Sequence, residues 1–266
     1  MDLHKGFEKK GFLSAGITNG IARLRTENAA WFKLAEDTNA IFMHTATTAM
    51  NSVHTTSMSP EAVAVRVLLR SCGTLQGIIL LTERGMVAEG RTLARSLIEN
   101  AFCVAALHDK PALFIKMLKE DSDASLQLQR KFIIAESLIA SGAARTKLQA
   151  AIDANEKSDI MSPKKIARLG PLLKQYLYYQ RLSDDAAHAS AKSLHRHVSV
   201  QKTPSGWNYK WGAGDRDENA ATLHHTILAA LPIGIGITAM LKDTDGNAAF
   251  AELANRFQSM PPVPII

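Results

Sequence analysis

Apolar residues along this chain recur at intervals of three and four, over stretches longer than a strand can use. Between positions 17 and 52 the series Ile21, Leu24, Trp31, Phe32, Leu34, Ile41, Phe42 and Met43 keeps that spacing, which predicts one long helix. A helix of that length belongs along a bundle or in a dimer interface. Ser59-Pro60-Glu61 predicts a second start, because Ser caps free amides, Pro tolerates the first turn and Glu suits the positive helix end. That helix runs to about Arg84, where Gly85 stops it. A third, Met86–His108, ends at Lys110-Pro111, since the residue before proline is pushed out of the helical region.

Helical patterns continue at Pro111–Lys119, Ser122–Ala140 and Ala144–Asn155, with Gly142 and the polar stretch 155–162 as breaks. Ser162-Pro163 opens a short helix ending at Gly170. Pro171 opens the next, which carries Tyr176, Tyr178, Tyr179 and Arg181. The period then changes. His197–Lys202 and Trp207–Trp211 flank Thr203-Pro204-Ser205-Gly206, the signature of a small β-hairpin. Asp215–Asp217 begin a long helix through Leu241, a shorter one covers Asn247–Gln258, and the Pro-rich tail Pro261–Ile266 is extended.

These elements predict an all-α fold: a multi-helix bundle with a minor β-hairpin near 197–211. The expected organisation is one helical domain over residues 1–266, with a long N-terminal helix at 17–52, a main bundle at 59–197 and C-terminal helices at 215–258. A homodimer through the long helices is the expected assembly.

Composition narrows the class. Hydrophobic residues make up 46% of the 266 and charged residues 21%, which is globular and excludes a disordered chain. The net charge is +6, but the basic residues are spread along the chain, so RNA or another polyanion is permitted as a partner and not required. Cys72 and Cys103 lie in apolar helical runs with no Cys-x-x-Cys pair, which reads as buried, reduced thiols in the cytoplasm. The N-terminus lacks a signal-type apolar core. Ile227–Leu241 is short for a bilayer span, so no membrane association is expected. Walker-type loops, strand–GxGxxG–helix units and Gly-x-Ser-x-Gly elbows are missing from the sequence, so nothing in it points to those chemistries or to a cofactor.

Two constellations could carry chemistry. Arg91, Arg95 and Glu99 are spaced by four and so share one helix face. They form either an intrahelical ion pair on a wet surface or a stripe drawn into the bundle, which would need partners elsewhere in the chain. The second is Tyr179, Arg181, Ser183, Asp184, Asp185 and His188. If helix continues there, Asp184 and His188 face the same way, and the carboxylate fixes the imidazole tautomer for proton transfer. Arg181 is placed to neutralise a phosphate or pair with a carboxylate. The plain alternative is a polar helix end. His195, seven beyond His188, extends the face, but Asp184, His188 and His195 do not form a recognised zinc pattern, and no metal is assigned. The tyrosines at 176, 178 and 179 read as packing residues.

The run RTLARSLIENAFCVAAL with the later YLYYQRLSDDAAHAS resembles an uncharacterised bacterial helical family, domain of unknown function 5677. The matching positions are Arg95, Glu99, Tyr179, Ser183 and His188. The second segment is also similar, more distantly, to the higher eukaryotes and prokaryotes nucleotide-binding (HEPN) superfamily, whose ribonuclease members carry an Arg and a His on a helical bundle. Arg181 and His188, with six residues between them (Leu182 through Ala187), fit that pattern. The resemblance implies a metal-independent endoribonuclease or RNA-binding protein of a bacterial defence or stress system. Arg181 would steady the phosphate, His188 would move the proton, and Asp184 or Glu99 would orient them. Leu182 stands where members often carry a polar residue. The alternative expectation is a non-catalytic sensor or interaction module, with Arg95, Glu99, Tyr179 and His188 in a buried polar network.

Overall fold

The computed structural model describes residues 4–139, 142–154, 159–203 and 206–264. Among them are twelve α-helices and one two-stranded antiparallel hairpin, so the chain is an all-α bundle with a minor hairpin. Its centre is α4 (Pro60–Glu83), α5 (Val87–Asp109) and α11 (Arg216–Leu241), packed on one another. α3 (Ala29–Ser52) and α12 (Thr244–Gln258) cover α11. The shared core includes Phe42, Leu68, Ile78, Leu97, Phe102, Ile227 and Phe250, all buried.

Each boundary has a local cause. Ser59 caps α4, its hydroxyl accepting from the Ala62 amide at 3.2 Å, with Pro60 in the first turn. Gly85, at φ +75°, donates its N–H to the Thr82 carbonyl and ends that helix in the left-handed region that a side chain disfavours. Asp215 and Glu218 form a reciprocal capping box on α11. α11 is buried nearly all round, as expected for a helix without a polar face. Where α12 crosses it, Gly234 lets the Phe250 ring come closer than any Cβ would allow.

Three expectations change. The predicted 17–52 helix is two: α2 (Ile17–Glu27) and α3, parted at Asn28. Asn28 leaves the helical region at φ −120°, ψ 28°, and its side-chain amide donates to the Leu24 carbonyl at 3.2 Å, a local bond that competes with the helix ladder. The predicted break near 120 is absent, because α6 runs unbroken over Pro111–Ala135. Asp121 there accepts the Met161 amide at 2.7 Å, and that tertiary contact outweighs weak local propensity. Gly142 opens α7 (Gly142–Asp153) rather than acting as a break.

The hairpin joins β1 (Val198–Thr203) to β2 (Gly206–Tyr209), with Val198 opposite Tyr209. The predicted ends at Ala140 and Asn155, the turn residues Pro204 and Ser205, and the last two residues of the tail lie outside the described residues. α4 and α11 are both long and apolar enough to cross a membrane, and half or more of each apolar window is buried within the bundle.

Candidate functional site

The two constellations meet. α9 (Tyr176–Leu182) runs into a single π turn, Ser183–Ala187, and both pack on α5. Arg91 and Arg95, one turn apart on α5, reach across to it. Arg91 donates from one terminal nitrogen to Asp185 Oδ2 at 2.5 Å and from Nε to Thr222 Oγ1 at 3.3 Å. Both Arg91 and Asp185 are buried. Arg196 adds a second guanidinium on the same carboxylate oxygen, at 3.0 Å, and holds Glu218 at 2.9 Å. Arg95 donates from Nε to Ser183 Oγ at 2.7 Å, donates from Nη2 to the Tyr179 phenol, and lies over the Tyr179 ring with its guanidinium carbon 4.4 Å from the centroid. Its ion pair with Glu99, at 3.3 Å, completes the group. The stripe is thus drawn into the bundle, and the buried charge of Arg91 finds its partner 94 residues away, as desolvation requires.

This grip gives the turn a physical cause. Ser183 and Asp185 are both pulled toward α5, and a widened π turn presents both side chains to it. Such turns recur at functional sites. Helix does not continue past it. His188 is extended at φ −130°, ψ 153°, and Ser190 starts α10 (Ala191–His195) with its own capping box to Ser193. Asp184 and His188 therefore do not form the helical i,i+4 pair predicted for them. Both are exposed. The Asp184 carbonyl accepts from the Ser190 hydroxyl, and the His188 carbonyl accepts from Ser193 Oγ at 2.7 Å. The predicted network histidine is replaced by Ser183, and His188 stands outside.

Arg181 faces elsewhere. It lines a cavity of about 280 Å³ with Tyr178, His224, His225 and the tail residues Pro262–Pro264, and no hydrogen bond or ion pair joins it to His188. Burial pushes the His225 imidazole down to about 4, against the pull of the Ala221 carbonyl that its Nδ1 meets at 2.6 Å. Burial also lowers His224, whose ring packs on Trp31 and Phe257. His225 is thus buried and His224 half-buried against aromatic rings. Tyr176 stacks on Tyr179 at 5.4 Å and Tyr178 meets His225 edge-on at 5.3 Å, which is packing. His195 is exposed and borders a cleft of about 610 Å³ with Lys192, Lys210 and Asp217, which Arg91, Asp185 and Arg196 also line. Among the described residues no group of three or more His, Cys, Asp or Glu is placed to hold a metal.

A second cavity that touches the network lies between α4, α5, α6, α8 (Pro163–Ala167) and α9. Its volume is about 610 Å³, and Arg95, Glu99 and Tyr179 line it together with Arg66, Arg70 and Asn100. Its apolar wall includes Val63, Val67, Phe114, Leu118 and Ile166. An apolar chamber of this size with a few converging polar groups is the usual form of a ligand site. Burial, and then the charge and hydrogen bonding of Glu99, push the Tyr179 phenol up, with Arg95 opposing. Burial pushes the Cys103 thiol in the same wall up to about 12, so it stays protonated and is no nucleophile at neutral pH. Sequence reasoning missed Arg70, Asn100, Thr222, Arg196 and Glu218. Arg91 signalled that a buried partner must exist, but no local pattern pointed to Arg196 or Glu218.

Residues 61–205 match the model of the Family of unknown function (DUF5677). No curated protein and no solved structure matches the chain.

Proposed function

The chain belongs to that family of unknown function, and on that premise we propose that it is a non-catalytic helical sensor module. The cavity between α4, α5 and α9 receives a ligand, and the π turn reports its presence. One observation carries this reading: Arg95 lines the cavity and also donates to Ser183 in the turn at 2.7 Å. A ligand that pulls on the Arg95–Glu99 pair changes the hold on Ser183, and with it the stretch 184–195 that follows, where His188, Lys192 and His195 are exposed. A guanidinium with several hydrogen bonds is well suited to such a link, because its planar donors fix direction as well as charge. Hydrogen exchange of the 183–188 amides tests it. Arg95→Gln should speed exchange there while leaving the α4 and α11 amides protected. Equal exchange in both proteins would end the reading. His188→Ala should change stability by less than about 0.5 kcal/mol, as for other exposed positions.

The second reading is the ribonuclease one, favoured by the exposure of His188, Lys192 and His195 on adjoining turns and the net charge of +6. It needs two chains to bring Arg181 and His188 together. Purified protein would then cleave RNA and lose cleavage on His188→Ala. RNA left intact by both proteins, with no binding at low salt, disposes of it.

A further inference from the structure

We infer that the α4–α5–α9 cavity binds an amphiphilic monoanion, a carboxylate on an apolar body, with Arg70 as the anchor for its charged head. This rests on the sensor reading above and adds the chemistry of the ligand. Five ionic side chains line the cavity: Arg66, Arg70, Arg95, Glu99 and Asp121. Arg95 is neutralised by Glu99 at 3.3 Å. Asp121 is held by the Met161 amide at 2.7 Å. Arg66 is tied to backbone, donating to the Ser57 carbonyl and, at 3.3 Å from Nε, to the Ala62 carbonyl. The Arg70 guanidinium has no ion-pair or hydrogen-bond partner among the described residues. One positive charge is therefore in excess, and it sits at Arg66 and Arg70.

Those two arginines are one turn apart on α4 and both are exposed, which puts them at the mouth. Val63 and Val67, on the same helix, and Phe114, Leu118 and Ile166 lie within. Arg95, Glu99, Asn100 and Tyr179 also line the cavity, and the carboxylate of Glu99 would repel an anionic head placed beside it. A bound molecule therefore keeps its charge at the mouth and its apolar body inward. The neutral Cys103 thiol adds to the apolar wall. A dianion such as phosphate meets one unpaired guanidinium and no apolar complement, and a cation meets two arginines at the entrance.

The test uses the full chain and titrates octanoate, octanol, octylammonium and inorganic phosphate by calorimetry at neutral pH. Octanoate should bind saturably and at least ten-fold more tightly than the other three. Arg70→Gln should weaken octanoate at least ten-fold, leaving octanol binding and the melting temperature unchanged. Val67→Phe, which fills the chamber, should weaken octanoate and octanol alike. Absent octanoate binding, equal binding by octylammonium or phosphate, or an Arg70→Gln protein that binds octanoate as the parent does would each overturn the inference. Exchange at 183–188 separates the two claims. Arg70-dependent binding that leaves that exchange unaltered supports the anion site and overturns the sensor reading alone.

Discussion

Asp185→Ala removes the carboxylate on which two guanidiniums converge. In the folded chain Asp185 Oδ2 lies 2.5 Å from Arg91 and 3.0 Å from Arg196. Arg91 is 4% exposed, so without Asp185 it keeps only the Thr222 hydroxyl at 3.3 Å and is left largely desolvated. Breaking a buried pair from one side costs about 3–5 kcal/mol. For a chain of this size that lowers the melting temperature by roughly 10 °C. Arg91→Met is the milder change, at about 1–3 kcal/mol, because Asp185 keeps Arg196. The double variant Arg91→Met/Asp185→Ala should recover to within about 1–2 kcal/mol of the parent, since apolar replacements of buried pairs are often near neutral. Arg196 still holds Glu218 at 2.9 Å in that protein. Urea unfolding of the four proteins gives the cycle, with a coupling of at least about 2 kcal/mol expected. A loss of under about 0.5 kcal/mol in Asp185→Ala, as at an ordinary surface site, or single losses that simply add, would refute the buried-pair argument.

Acid stability should depend on His225. Its folded value of about 4 lies below the ordinary 6.5, so the stability of the neutral ring is complete above pH 6.5 and is lost as pH falls toward 4. The slope is at most about 1.4 kcal/mol per pH unit, and His225→Phe should flatten that part of the unfolding profile. Asp215→Ala breaks the capping box of α11 and should cost about 1 kcal/mol in urea unfolding, where an unchanged midpoint would show that the cap contributes nothing. Gly234→Ala sets a methyl group into the Phe250 ring. It should lower the melting temperature despite the better helix propensity of alanine, because overpacking costs about 1–3 kcal/mol against a gain of about 1 kcal/mol.

Much of this architecture was legible in order and type. Ser59-Pro60, Ser162-Pro163 and Asp215 mark helix starts through short-range capping, and Gly85 marks a stop. Those signals act within a few residues, so the sequence displays them directly. Two of the misreadings share one cause. Asn28 splits a helix through a bond to Leu24, while Asp121 keeps α6 whole through a bond to Met161 forty residues away. Propensity cannot tell which partner a polar side chain will take.

The same division holds at the site. By itself the sequence determined the class of fold, the Arg91/Arg95/Glu99 face and the site-like character of 179–188, because helical spacing alone sets which residues share a face. Only the tertiary structure decided that Arg91 and Arg95 grip Asp185 and Ser183, and that Arg181 turns toward His225 while His188 stays exposed. It also placed Arg70 at the mouth of an apolar chamber. The reason is desolvation: a buried charge must find an opposite partner, and the packing of α5 against the π turn, not distance along the chain, determines which one it finds.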